Sequence, residues 1–223
     1  TDSGNMIVLN HARDLHSNFR PFDPQRHIAI AGMDLKGWKL PANAMEVINS
    51  GALQTDWMRL YKDWFGMINK GNFLTPIGAS DSHDVGRYLL GQARTYIKST
   101  DQAGEIDVDN VLKSLRQGEV SVSVGLLTEM LVHDRFGPGD VVKDSSDHLC
   151  VSVRVLGPSW TQTSQVALFA TGEKIREEII PKGINPGEKW NGTWRIAWPK
   201  QDLFIVAIAT APGPRIPFWQ IAK

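Results

Sequence analysis

Asp107-Val108-Asp109-Asn110-Val111-Leu112-Lys113-Ser114-Leu115-Arg116-Gln117-Gly118-Glu119-Val120-Ser121-Val122-Ser123-Val124 is the stretch where the sequence changes character. Its first part is helical: Val108, Val111, Leu112 and Leu115 form one stripe at the 3.6-residue period. Asp107 is placed to cap the first turn, Ile106 to staple onto Val111, and Gly118 to end the helix in the left-handed conformation. From Val120 the period drops to two, with Val120, Val122 and Val124 on one side of an expected strand.

Upstream of this boundary, short continuous apolar runs at Met6 to Leu9, Ala44 to Ile48 and Leu74 to Ala79 read as strands buried on both faces, as in a mostly parallel sheet. Between the second and third, Trp57, Leu60, Tyr61, Trp64, Met67 and Ile68 recur at helical spacing over 56–70, with Asp56 before them and Gly71 after. Downstream, alternation continues in Leu149, Val151, Val153 and Val155, in Trp194, Ile196 and Trp198, and in Phe204, Val206 and Ile208. Turn residues such as Gly137-Pro138-Gly139, Gly157-Pro158 and Asn185-Pro186-Gly187 separate the runs, which predicts an antiparallel β-sandwich. The expected organisation is an α/β portion over 1–120 followed by an all-β domain over 121–223.

Composition narrows the classes of function. Twenty-four Lys and Arg balance 24 Asp and Glu among 223 residues, and no basic run offers the footprint that nucleic acid or an anionic membrane would require. No apolar stretch reaches the roughly 20 residues that span a bilayer, and the N-terminus reads as lacking a leader. The single cysteine, Cys150, excludes an internal disulfide and a cysteine-built zinc site. A metal, if held, falls to histidine and carboxylate.

Two histidines stand where α/β proteins build their sites, just beyond the carboxyl ends of strands. His11 follows the first apolar run, and His83 closes Gly78-Ala79-Ser80-Asp81-Ser82-His83 after the third. Asp81 and His83, two residues apart, project to one side of an extended segment, and such a mixed oxygen and nitrogen set suits Zn, Mn or Fe. The plainer alternative has Asp81 capping a turn and His83 solvated. His16 and His27 read as solvent-facing loop residues. Trp194 and Trp198 read as core, with a sugar-stacking platform as the alternative if two rings are exposed and coplanar. Asn191-Gly192-Thr193 fits a glycosylation triplet that is frequent by chance.

Asn10-His11-Ala12-Arg13, Phe22-Asp23-Pro24, Ala44-Met45-Glu46-Val47-Ile48-Asn49, Gly78 to His83 and Gly91-Gln92-Ala93-Arg94-Thr95-Tyr96, in that order, resemble the PHP superfamily of metal-dependent phosphoesterases, in its CehA/McbA-type branch. The likeness runs through Val124, and members of this branch often carry a β-rich segment afterwards. It implies a distorted (β/α) barrel of about seven strands, with two or three divalent metals (Zn, Mn or Fe) at the strand ends and His11, Asp81 and His83 among their ligands. Glu46 then corresponds to a residue behind the ligands, the alternative being a buried carboxylate paired with Arg13 or Arg94. Arg13 and Arg94 correspond to supporting or substrate-orienting positions, although Ala93 stands where many relatives have proline and a surface strand arginine is the equal alternative for Arg94. The implied activity is hydrolysis of a phosphoester, or of a related ester or carbamate in a small molecule or polymer.

No His-x-His, with which a complete site of this family opens, occurs in the sequence. About 120 residues supply three or four βα units, against roughly 200 for a closed barrel. The chain is therefore expected to be the C-terminal part of such a barrel plus the sandwich, inactive alone, and associating with another copy or with the upstream part. The alternative is a non-catalytic interaction or polymer-binding module built on a degenerate scaffold of this type.

Overall fold

β-Branched and apolar residues in unbroken runs favour strands covered on both sides, and in the computed structural model the first three such runs form one parallel sheet. The structure describes residues 5–13, 21–22, 42–49, 56–83, 89–100, 104–143, 146–181 and 187–212. His16, His27, Trp219 and most of the Asn185-Pro186-Gly187 turn lie outside them. Strand β1 (Val8–Leu9) pairs with β2 (Ala44–Asn49), and β2 with β3 (Thr75–Ala79), all parallel and in the order β1-β2-β3. Helix α1 (Met58–Asn69) makes the connection between β2 and β3. Five of the six residues of β2 are buried, as the two-faced reading requires.

Strand β4 (Arg94–Ile97), helix α2 (Val108–Gln117) and strand β5 (Val120–Ser123) follow. Asp107 accepts a hydrogen bond from the backbone N–H of Asn110 at 3.0 Å, and Gly118 closes α2 at φ 75°. Both ends of this helix match the sequence reading. The staple does not form: Ile106 is 77% exposed and Val108 61%, so the apolar stripe of α2 is only half covered by described residues.

Two expectations need correction. β5 does not open the sandwich. It pairs antiparallel with β4, Ile97 opposite Val120 and Arg94 opposite Ser123, and Val122 and Val124 pack into the core of the parallel sheet. Nor do the described residues form a barrel. After three parallel strands the direction reverses in the β4–β5 pair, which removes the run of crossovers that a closed parallel barrel needs. Most of the remaining elements are strands in several sheets, and the described residues contain two short helices.

The sandwich begins with β6 (Leu127–Val132), which pairs with β7 (His148–Gly157), itself paired with β10 (Gly187–Ala197). The second sheet has β8 (Gln165–Ala170) at its centre, flanked by β9 (Glu173–Ile179) and β11 (Ile205–Thr210). Every pairing in both sheets is antiparallel. Leu149, Val151, Val153 and Val155 of β7 meet Val166 and Leu168 of β8 in one buried cluster, which is the sandwich core.

The outer face of the second sheet is partly covered. Phe169, Phe204, Val206 and Ile208 pack against the cluster that contains Trp64 and Phe65 of α1. Phe65 lies 5.8 Å from Phe169 and 5.7 Å from Phe204 between ring centroids. The β8–β9 turn seats on the same helix: Asn69 Nδ2 donates to the Thr171 carbonyl at 2.9 Å, and a Cβ at Gly172 would stand 3.2 Å from Phe65 Cβ. Helix α1 is thus shared, covering the parallel sheet on one side and the second sandwich sheet on the other. No helix among the described residues is long and apolar enough to cross a membrane.

Candidate functional site

In a parallel sheet of order β1-β2-β3, the segments leaving β1 and β3 lie on either side of the end of β2. That topology brings His11, Glu46, Asp81 and His83 together from positions far apart in sequence. His11 Nδ1 lies 3.3 Å from Glu46 Oε2, and His11 Nε2 lies 3.6 Å from Asp81 Oδ1. His83 Nε2 lies 3.0 Å from the same Asp81 oxygen. The sequence-derived trio converges, and Glu46 joins it.

Backbone geometry at the cluster is unusual. His11 and Asp81 adopt φ 51° and 53°, a region that non-glycine residues enter at a cost and keep only where the surroundings enforce it. Strand β3 is fixed where it leads into Asp81: the Thr95 hydroxyl accepts from the Gly78 N–H and lies 2.9 Å from the Gly78 carbonyl. Gly78 is required there, because a Cβ would meet Val122 Cγ1 at 2.7 Å and the Arg94 carbonyl oxygen at 2.8 Å.

Glu46 is the buried member, with 1% of its surface exposed. Burial pushes its carboxyl above the ordinary carboxylate value and the charge of Asp81 adds to this, while His11 and a hydrogen bond from Asn49 oppose it. Asn49 Nδ2 donates to Glu46 Oε1 at 2.5 Å. In a regular strand residues three apart face opposite sides, but β2 carries a bulge between Glu46 and Ile48, and this returns Asn49 to the side of Glu46. Glu46 Oε2 has His11 as an ion-pair contact, without a well-directed hydrogen bond among the described residues.

The arginines serve elsewhere. Arg13 does not pair with Glu46: its Nε and Nη2 form a two-pronged salt bridge with Asp63 on α1, the Nη2 to Oδ1 arm being 2.7 Å. Arg94 is exposed on β4, and no hydrogen bond or ion pair among the described residues links it to the cluster. It lines a cleft of about 2030 Å³ walled also by Trp57, Phe73, Val122, Trp160 and Ile208, a cleft that none of the four clustered residues touches. Trp190 and Trp194 are half-buried against the sandwich core with ring centroids 5.1 Å apart and planes at 31°, so they do not form an exposed coplanar platform.

Among the described residues, no group of three or more His, Cys, Asp or Glu side chains is gathered tightly enough to hold a metal ion as it stands. The imidazole of His11 spans two carboxylates, one nitrogen facing each. Sequence reading did not single out Asn49 or Asp63. Asn49 depends on a bulge that no residue pattern marks, whereas Asp63 left one signal, an acid one turn after Leu60 in the buried stripe of α1. Comparison with protein-family models, with curated proteins and with solved structures finds no match for this chain.

Proposed function

We propose that this chain carries part of the metal site of a metal-dependent hydrolase acting on a phosphoester or a related ester or carbamate, with His11, Asp81 and His83 as the metal-holding residues and Glu46 behind them. The observation that carries this reading is the meeting of a His, an Asp and a His beyond the ends of β1 and β3, the two parallel strands that flank β2. Ligand atoms bound at about 2.1 Å stand roughly 3.0–3.4 Å from their neighbours around one metal. The His83–Asp81 and His11–Asp81 separations of 3.0 and 3.6 Å are close to that spacing. The donor set therefore fits a borderline divalent cation once the side chains turn from one another toward it.

Glu46 is suited to select the tautomer. A carboxylate at Nδ1 favours the proton there and leaves the Nε2 lone pair on the side of Asp81 and His83. The bond from Asn49 keeps the Glu46 carboxylate turned toward the ring. A divalent cation held by these residues would supply Lewis acidity and would lower the pKa of water enough to provide hydroxide as a nucleophile near neutral pH. Three protein donors are the minimum for a catalytic zinc, so these residues serve one metal, and a second or third draws on other donors.

Calorimetric titration with Zn²⁺ and Mn²⁺, followed by an assay with bis(p-nitrophenyl) phosphate, tests the reading. Saturable uptake near one equivalent is expected, released on dialysis and abolished in His11→Ala and Asp81→Asn, with little turnover by the chain alone. No saturable uptake by the folded chain, or uptake unchanged in both variants, overturns it.

A further inference from the structure

We propose that Asp63 is a positioning residue for His11, acting through Arg13; the proposal rests on the functional reading above and adds to it a residue outside the cluster. Asp63 lies on the core-facing side of α1 with Leu60, Trp64 and Met67, and only 1% of its surface is exposed. A carboxylate there is stripped of water and must be paired. For stability alone, an apolar residue of similar volume serves as well or better than a buried ion pair. What the pair supplies is geometry: a planar guanidinium held by two parallel bonds has a fixed direction.

The direction matters because Arg13 is two residues beyond His11, and Ala12 between them is fully buried. The start of the segment is also tied, since the Ile7 N–H donates to Asn43 Oδ1 at 3.0 Å. His11 sits between these two anchors with its backbone at φ 51°, a conformation that an unanchored non-glycine residue leaves. The anchor itself is referenced to the other half of the cluster. Next to Asp63 in α1, Trp64 Nε1 donates to the Leu74 carbonyl at 2.7 Å, and Leu74 immediately precedes β3, the strand that leads to Asp81 and His83. Asp63 and its helix therefore set the loop that carries His11 against the strand that carries its partners.

The test compares the wild type, Asp63→Asn and the double variant Arg13→Met with Asp63→Leu, which replaces the ion pair by apolar packing. Three quantities are measured: the thermal midpoint, the ¹⁵N shifts that report which imidazole nitrogen of His11 carries the proton, and the affinity for Zn²⁺. The expected result is that both variants lose the Nδ1-protonated form and bind zinc about 10- to 100-fold more weakly, while the double variant keeps the wild-type midpoint. A double variant that retains the wild-type midpoint, tautomer and zinc affinity shows that the pair is packing only and overturns the proposal. If the wild type takes up no zinc, the metal reading fails, and the tautomer comparison still decides the role of Asp63.

Discussion

Gly78 shows how one missing side chain can hold a site. Its N–H and carbonyl both meet the Thr95 hydroxyl, and the space a methyl group would need is filled by Val122 and the backbone of Arg94. Gly78→Ala is expected to cost about 1–3 kcal/mol by overpacking and to push the end of β3, with Asp81, away from His11. Urea denaturation checks the first part and zinc affinity the second. At the far end of the β4–β5 pair, Lys98 Nζ donates to Glu119 Oε1 at 2.7 Å. That bond, aided by one from Ser114, holds the Glu119 carboxyl below its ordinary value of 4.5. A lowered carboxyl favours the folded state above the ordinary value, and the contribution disappears as pH falls through the lowered one. The midpoint difference between wild type and Lys98→Met is therefore expected to be small at pH 7, since the lysine is exposed, and to vanish under acid; a difference that grows as pH falls contradicts the assignment.

Among the elements, α2 was legible to the residue because local chemistry marks both its ends, Asp107 at the start and Gly118 at the stop. The three parallel strands were legible because continuous apolar runs have few other uses. The partner of β5 was not, since pairing is non-local and alternation in Val120, Val122 and Val124 fits either sheet. Strand β9 was also hidden: an edge strand reading Glu173-Lys174-Ile175-Arg176-Glu177-Glu178-Ile179 carries charge on both faces, which guards it against further pairing and erases its period. In the cluster, His11, Asp81 and His83 could be found from their places after strands, and Asn49 could not, because a bulge decides where it points, while Asp63, outside the cluster, left only its place in the buried stripe of α1. Phe65 touches Trp64, Phe169 and Phe204, so Phe65→Ala is expected to cost about 3–5 kcal/mol, measurable as a lowered urea midpoint with an unchanged slope.

At the scale of the molecule, sharing α1 ties the all-β portion to the α/β portion that precedes it. A self-contained sandwich would show polar residues on its outer faces, but the second sheet carries Phe169, Phe204, Val206 and Ile208 there, partly buried against the cluster that contains Trp64 and Phe65. Heating should therefore give one transition, coincident in tryptophan fluorescence and far-ultraviolet circular dichroism. A separate chain of residues 126–212 should expose the aromatic face and bind a hydrophobic dye. Two well-separated transitions would show that the portions fold independently. The same cooperativity positions the cluster, because α1 carries Asp63 on one part of its surface and Phe65 on another, so the sandwich helps fix the loop on which His11 stands. The most direct test of the central claim is a zinc-edge anomalous difference map from crystals soaked in Zn²⁺. The account predicts a peak about 2.0–2.2 Å from His11 Nε2, Asp81 and His83; zinc bound elsewhere, with this cluster empty, contradicts it.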